Sequence, residues 1–65
     1  MPQPPRPPEL REMQRMTCWP QLEPIFRTGL DDARRGHWDN SQPARTLRWY
    51  AYEAGWDLGE AENQK

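Results

Sequence analysis

A single cysteine, Cys18, and a single histidine, His37, in a chain of 65 residues remove the two usual staples of small folds. One cysteine cannot close an intramolecular disulfide, and one Cys with one His falls short of a structural zinc site. Valine is absent, isoleucine occurs once and threonine three times, so the β-branched residues that favour strands are scarce. Lysine occurs once, as Lys65. Hydrophobic residues make up 34% of the chain and the mean hydropathy is −1.27. No run approaches the roughly 18 apolar residues of a membrane span, and the N-terminus has no basic start followed by an apolar stretch. A soluble, cytoplasmic protein is therefore expected. The length allows one small domain, which buries only about 60% of the surface its unfolded chain exposes. Such a chain is expected to act by binding, without a metal or other cofactor.

What is present favours helix. Ala, Leu, Met, Arg, Glu and Gln are plentiful, and the expected fold is all-α. It takes the form of a short helical hairpin of two main helices, with an extra N-terminal helix and a disordered Pro-rich arm. Residues 1–8 hold five of the eight prolines and form the arm, residues 9–60 the single domain and residues 61–65 an acidic polar tail. Arg6 stands among prolines without the spacing of an SH3 ligand. Glu9 to Met16 reads as a short helix with Leu10, Met13 and Met16 on one side, and Thr17 to Pro24 as a connector. The first main helix is expected to begin with Pro24 and to stop at Gly36, after Ile25, Phe26, Gly29, Leu30 and Ala33 at helical spacing. Arg27, Asp31 and Arg35 are spaced to pair along its exposed face, with Asp31 and Asp32 both salt-bridged there. The second helix is expected to be capped by Ser41 or Gln42, with Pro43 in its first turn, and to run to Leu58 before Gly59.

That second helix is apolar on two sides. At ~100° per residue, Ala44, Leu47, Ala51, Ala54 and Leu58 form one stripe, and Trp49, Tyr52 and Trp56 another nearly opposite. Both stripes can be internal core, or one can be a binding surface, since Trp, Tyr and Arg dominate interface hot spots. An uncovered stripe is also compatible with a homodimer through this helix. Which face points inward stays open at this level.

Three strings stand out: Phe26-x-x-Gly29-x-x-x-Ala33-x-x-Gly36, Asn40-x-x-Pro43, and Arg45-x-x-Arg48-x-x-x-Tyr52-x-x-Gly55-Trp56-x-x-Gly59. Together they resemble the ribosome modulation factor family, which shares a short two-helix fold with the fluoroquinolone-resistance protein CrpP. The resemblance covers residues 24–60. It implies a cytoplasmic bacterial or bacteriophage protein that binds ribosomal RNA and protein in the small subunit and promotes inactive ribosome dimers. It further implies phosphate contacts from Arg34, Arg35, Arg45 and Arg48, and close helix approach at Gly55 and Gly59. The CrpP side implies ATP-dependent drug modification, yet phosphoryl transfer calls for a phosphate cradle and a positioned cation. The chain has no Gly-rich loop, and its only lysine is terminal. Cys18 and His37 read as a surface thiol and a loop imidazole, so no catalytic residue is assigned and a non-enzymatic protein is expected.

The net charge of −1 is unevenly laid out. Residues 1–21 and 22–48 each balance to +1, whereas 49–65 carry Glu53, Asp57, Glu60 and Glu62 against Lys65, a balance of −3. Eight of the nine basic residues are arginine, suited to planar bidentate contacts. The candidate binding residues are Arg34, Arg35, His37, Arg45, Arg48, Trp49, Tyr52, Trp56, Glu53 and Asp57. They suit either the ribosome, through ribosomal RNA and ribosomal protein, or a host protein blocked by a small phage or mobile-element inhibitor.

Overall fold

The computed structural model describes residues 6–63, and every regular element in that range is helical: α1 (Leu10–Gln14), α2 (Trp19–Arg35) and α3 (Leu47–Asn63). The all-α expectation holds, with two long helices and a short N-terminal one. The disordered arm expected over residues 1–8 falls largely outside the described range. Its last residue triplet is placed, with Arg6 paired to Glu9 at 3.3 Å and to Glu12 at 2.8 Å.

The start of α2 and both ends of α3 differ from the sequence expectation. α2 begins at Trp19 instead of Pro24, and the connector read over Thr17–Pro24 is mostly helix. Pro20 occupies the first turn, where its missing N–H is no loss, and Pro24 forfeits only the bond to the exposed Pro20 carbonyl one turn in. The reward is the burial of Leu22 and the contact of the Trp19 and Phe26 rings, with centroids 5.9 Å apart. The stop at Gly36 is as expected. Gly36 is left-handed (φ 69°), its N–H donates to the Ala33 carbonyl at 3.0 Å, and His37 N–H donates to that of Asp32 at 2.9 Å, a Schellman ending.

α3 starts later and ends later than expected. Ser41 and Gln42 do not cap it. Arg45 is left-handed (φ 66°), which interrupts helix before Thr46, and the Thr46 hydroxyl instead accepts the Trp49 N–H at 3.3 Å as N-cap. Gly59 does not end the helix, because it serves as a contact surface and the chain continues through Asn63. There Asn63 Nδ2 donates to the Ala33 carbonyl at 3.0 Å, and Arg34 pairs with Glu62 at 3.1 Å. Residues 61–63, expected as tail, are thus the last turn of α3.

The two long helices run parallel. Leu22 shares a buried cluster with Ala51, Gly29 faces the backbone of Tyr52 and Trp56, Gly55 that of Phe26 and Leu30, and Gly59 faces Leu30 and Ala33. Numbers rise together along both partners, so the segment from Gly36 to Thr46 must travel back along the pair. On its way Trp38 packs edge-on against Tyr52 and Trp56, with centroids 5.2 and 5.1 Å away. Asn40 Nδ2 then donates to the Trp49 carbonyl at 3.3 Å. On the other side α1 inserts Met13, fully buried, between Leu22 and Ala51.

Gly29 and Ala33 lie four apart on α2, as do Ala51, Gly55 and Gly59 on α3, so each helix presents a ridge of small residues. A Cβ at Gly29 would run into the Tyr52 carbonyl oxygen, and one at Gly55 into that of Phe26. The helix backbones therefore touch. By propensity alone Gly55→Ala would add up to about 1 kcal/mol. We expect instead a loss of about 3 kcal/mol or more from over-packing against a backbone that cannot yield, read as a lower midpoint in urea unfolding. Gly36→Ala, with open space around it, is expected to lose only the roughly 1–2 kcal/mol of a left-handed alanine.

Candidate functional site

The aromatic stripe of α3 divides. Tyr52 is the largest fully buried side chain, and its hydroxyl donates to Asp32 Oδ2 at 2.5 Å while accepting the backbone N–H of Asp39 at 2.8 Å. Asp32 is itself only 8% exposed and also accepts from Arg35 Nη2 at 3.1 Å. One phenol thus ties α2, the crossover and α3 together. Trp56 is half-buried beneath Trp38, which remains 45% exposed, and Trp49 is half-buried with its ring edge-on to Tyr50. The aliphatic stripe is not the inner one: Leu47 and Leu58 are exposed, Ala51 is buried under α1 and Leu22, and Ala54 borders a groove. The helix turns the Tyr52–Gly55–Gly59 line toward α2 because only there do glycines permit backbone contact.

The arginines also divide. Arg34 pairs with Glu62 at 3.1 Å and lies 3.9 Å from Asp31, and Arg35 pairs with Asp32. Arg27 pairs with Glu23 at 3.1 Å and not with Asp31. The expected Arg27–Asp31–Arg35 ladder is therefore absent, and Asp32 points inward because Tyr52 offers it a buried donor. Arg11, Arg15, Arg45 and Arg48 have no ion-pair partner among the described residues. Arg15 closes α1 just before α2, and Arg45 and Arg48 flank the start of α3. Parallel packing brings the starts of α2 and α3 together: Cys18, Leu22, Pro43, Leu47 and Arg48 line one groove of about 360 Å³. The positive ends of both long helix dipoles open at the same place.

The acidic candidates lie on another face. Glu53 and Asp57 border a groove of about 400 Å³ between the N-terminal segment and α3. Burial raises the pKa of both, Asp57 adding to the effect at Glu53 and Glu60 to that at Asp57. His37 is exposed directly after Gly36, whereas Cys18 caps the other end of α2. A helix of 17 residues between them spans about 25 Å, so they make no thiol–imidazole pair. No group of three or more His, Cys, Asp or Glu side chains among the described residues could hold a metal ion. None of the helices in that range is long and apolar enough to cross a membrane. No family model, curated protein or solved structure matches the chain.

Trp38 and Tyr50 are residues that sequence reasoning passed over, and the sequence offers Asp32 only as an exposed ion-pair partner. Trp38 follows a helix stop in a polar stretch and gives no periodic signal, and Asp32 reads as a surface residue beside Asp31.

Burial, then the bond to Asp32, raises the Tyr52 pKa. A proton held more tightly in the folded state gives stability that is complete below the unfolded value near 10 and is lost as pH rises through the higher folded value. Tyr52→Phe should remove about 1–3 kcal/mol at neutral pH, since it strands Asp32 and the Asp39 N–H. It should also flatten the alkaline loss of stability, as followed by urea unfolding across a pH series.

Proposed function

We propose that this protein is a small non-enzymatic factor that binds the ribosome through ribosomal RNA and ribosomal protein, in the manner of ribosome modulation factor. The observation that carries this reading is the coincidence of unpaired arginines with two helix N-termini at one end of the fold. The positive ends of the helix dipoles favour an anion there, and guanidinium groups add charge-assisted contacts to phosphate. Net charge matters less than this local concentration. Arg45 and Arg48 are the phosphate contacts. Arg34 and Arg35, although exposed, are already paired within the chain, with Glu62 and Asp32.

A second reading, blockade of a host protein by a phage or mobile-element inhibitor, draws on the exposed Trp38 packed over Trp56. Large aromatic side chains of this kind are common interface anchors. In a homodimer the same aromatic edge, and not the inner face of α3, would form the contact.

Sucrose-gradient sedimentation of tagged protein with ribosomes separates these readings. Wild type is expected to travel with fractions containing the small subunit, and Arg45→Glu/Arg48→Glu to leave them. Arg34→Gln should be retained. For isolated ribosomal RNA, the log–log salt slope of binding should fall by about one for each of Arg45 and Arg48 replaced. Absence of the wild type from every ribosomal fraction, with capture lost instead on Trp38→Ala, would favour the protein-target reading.

A further inference from the structure

The groove beside α3 is not used by the basic end. Pro7, Pro8 and Leu10 form one wall, Tyr50 and Ala54 the other. The first wall is held in place from both sides, by Arg6 on Glu9 and Glu12 and by fully buried Met13. At about 400 Å³ the groove falls within the usual range for binding sites, about 300–1,000 Å³. Its walls are mostly apolar and its lip is acidic. Glu53 and Asp57, one turn apart on α3, have no ion-pair partner among the described residues, whereas Glu9 on the opposite lip is engaged by Arg6.

We propose that this groove receives an extended basic segment of a protein partner, with the stem of an arginine or lysine along Leu10, Tyr50 and Ala54 and its cationic head between Glu53 and Asp57. The match is one of charge and of shape. Long basic side chains carry an apolar stem below a charged head, which is the pattern of these walls and this lip. The Tyr50 side chain lines the groove beside the aliphatic residues, and a guanidinium fork can bridge two carboxylates. A nucleic-acid backbone would be repelled by the same lip. None of the unpaired arginines at the α3 start lines this groove, so it stands whether or not those arginines bind RNA.

The test is an NMR titration of the full chain with a hexa-arginine amide peptide, with hexa-glutamate as the opposite charge. Hexa-arginine should shift Leu10, Tyr50, Glu53, Ala54 and Asp57 and leave the rest of the spectrum in place, and hexa-glutamate should shift nothing there. Glu53→Gln/Asp57→Asn should weaken binding at least about tenfold, because two charge-assisted contacts are lost. Ala54→Leu, which fills the groove and changes no charge, should weaken it comparably and remains informative if the double variant is misfolded. Asp39→Asn, an unpaired carboxylate outside the groove, should have no effect. Equal weakening by Asp39→Asn, or shifts spread over all acidic residues, would mean diffuse attraction and overturn the proposal. Self-association abolished by Glu53→Gln/Asp57→Asn would make a second copy the occupant, which also overturns it.

Discussion

The fold rests on one contact: helix backbones that touch where Gly29 meets the Tyr52 carbonyl and Gly55 meets that of Phe26. A chain with 34% hydrophobic residues and no disulfide has little core to spend on holding two helices apart. Glycine ridges let the axes approach until main-chain atoms pack, which recovers dispersion energy that larger side chains would otherwise have to supply. The same contact sets the relative register of α2 and α3, since a Cβ in the place of Gly29 or Gly55 would meet the facing backbone. Everything else in the molecule accommodates that pairing.

Parallel pairing requires a long return, and the return is stabilised by a small number of specific bonds. Tyr52 is at the centre of them. Its ring supports Trp38, and its hydroxyl joins the Asp32 carboxylate of α2 to the Asp39 amide of the crossover. A buried carboxylate without such a donor would be a liability. Asp32 also keeps Arg35 in place, so the polar network has no stranded atom: no buried side-chain nitrogen or oxygen among the described residues lacks a partner. A network of this kind favours one arrangement over near alternatives, because each donor has one acceptor in reach.

Packing also sorts the charges. The glutamates and aspartates that meet arginines do so within the α2 helix, at the α2–α3 end or beside the N-terminal segment. The charges left over segregate, with Arg45 and Arg48 where helix dipoles are positive and Glu53 and Asp57 along an apolar groove. A nearly neutral chain thereby gains two surfaces of opposite character. The proposed ribosomal contact and the proposed site for a basic segment belong to different faces and do not compete.

Much of this was legible in the residues. Scarce β-branched side chains and abundant helix formers dictated an all-α fold, Gly36 after Arg34-Arg35 dictated the end of α2, and the spacing of Leu10 and Met13 a short first helix. Boundaries at proline and glycine were misread, because Pro24 and Gly59 carry the same local signals whether they end a helix or sit inside one. Composition could list the arginines and could not say which were already paired, since Arg34 meets Glu62 across 28 positions of sequence. Local chemistry along the chain determined the helices and their number. Their parallel direction, the inward face of α3 and the sorting of free from paired charge were decided by tertiary packing, because each depends on which backbones can approach closely enough to touch.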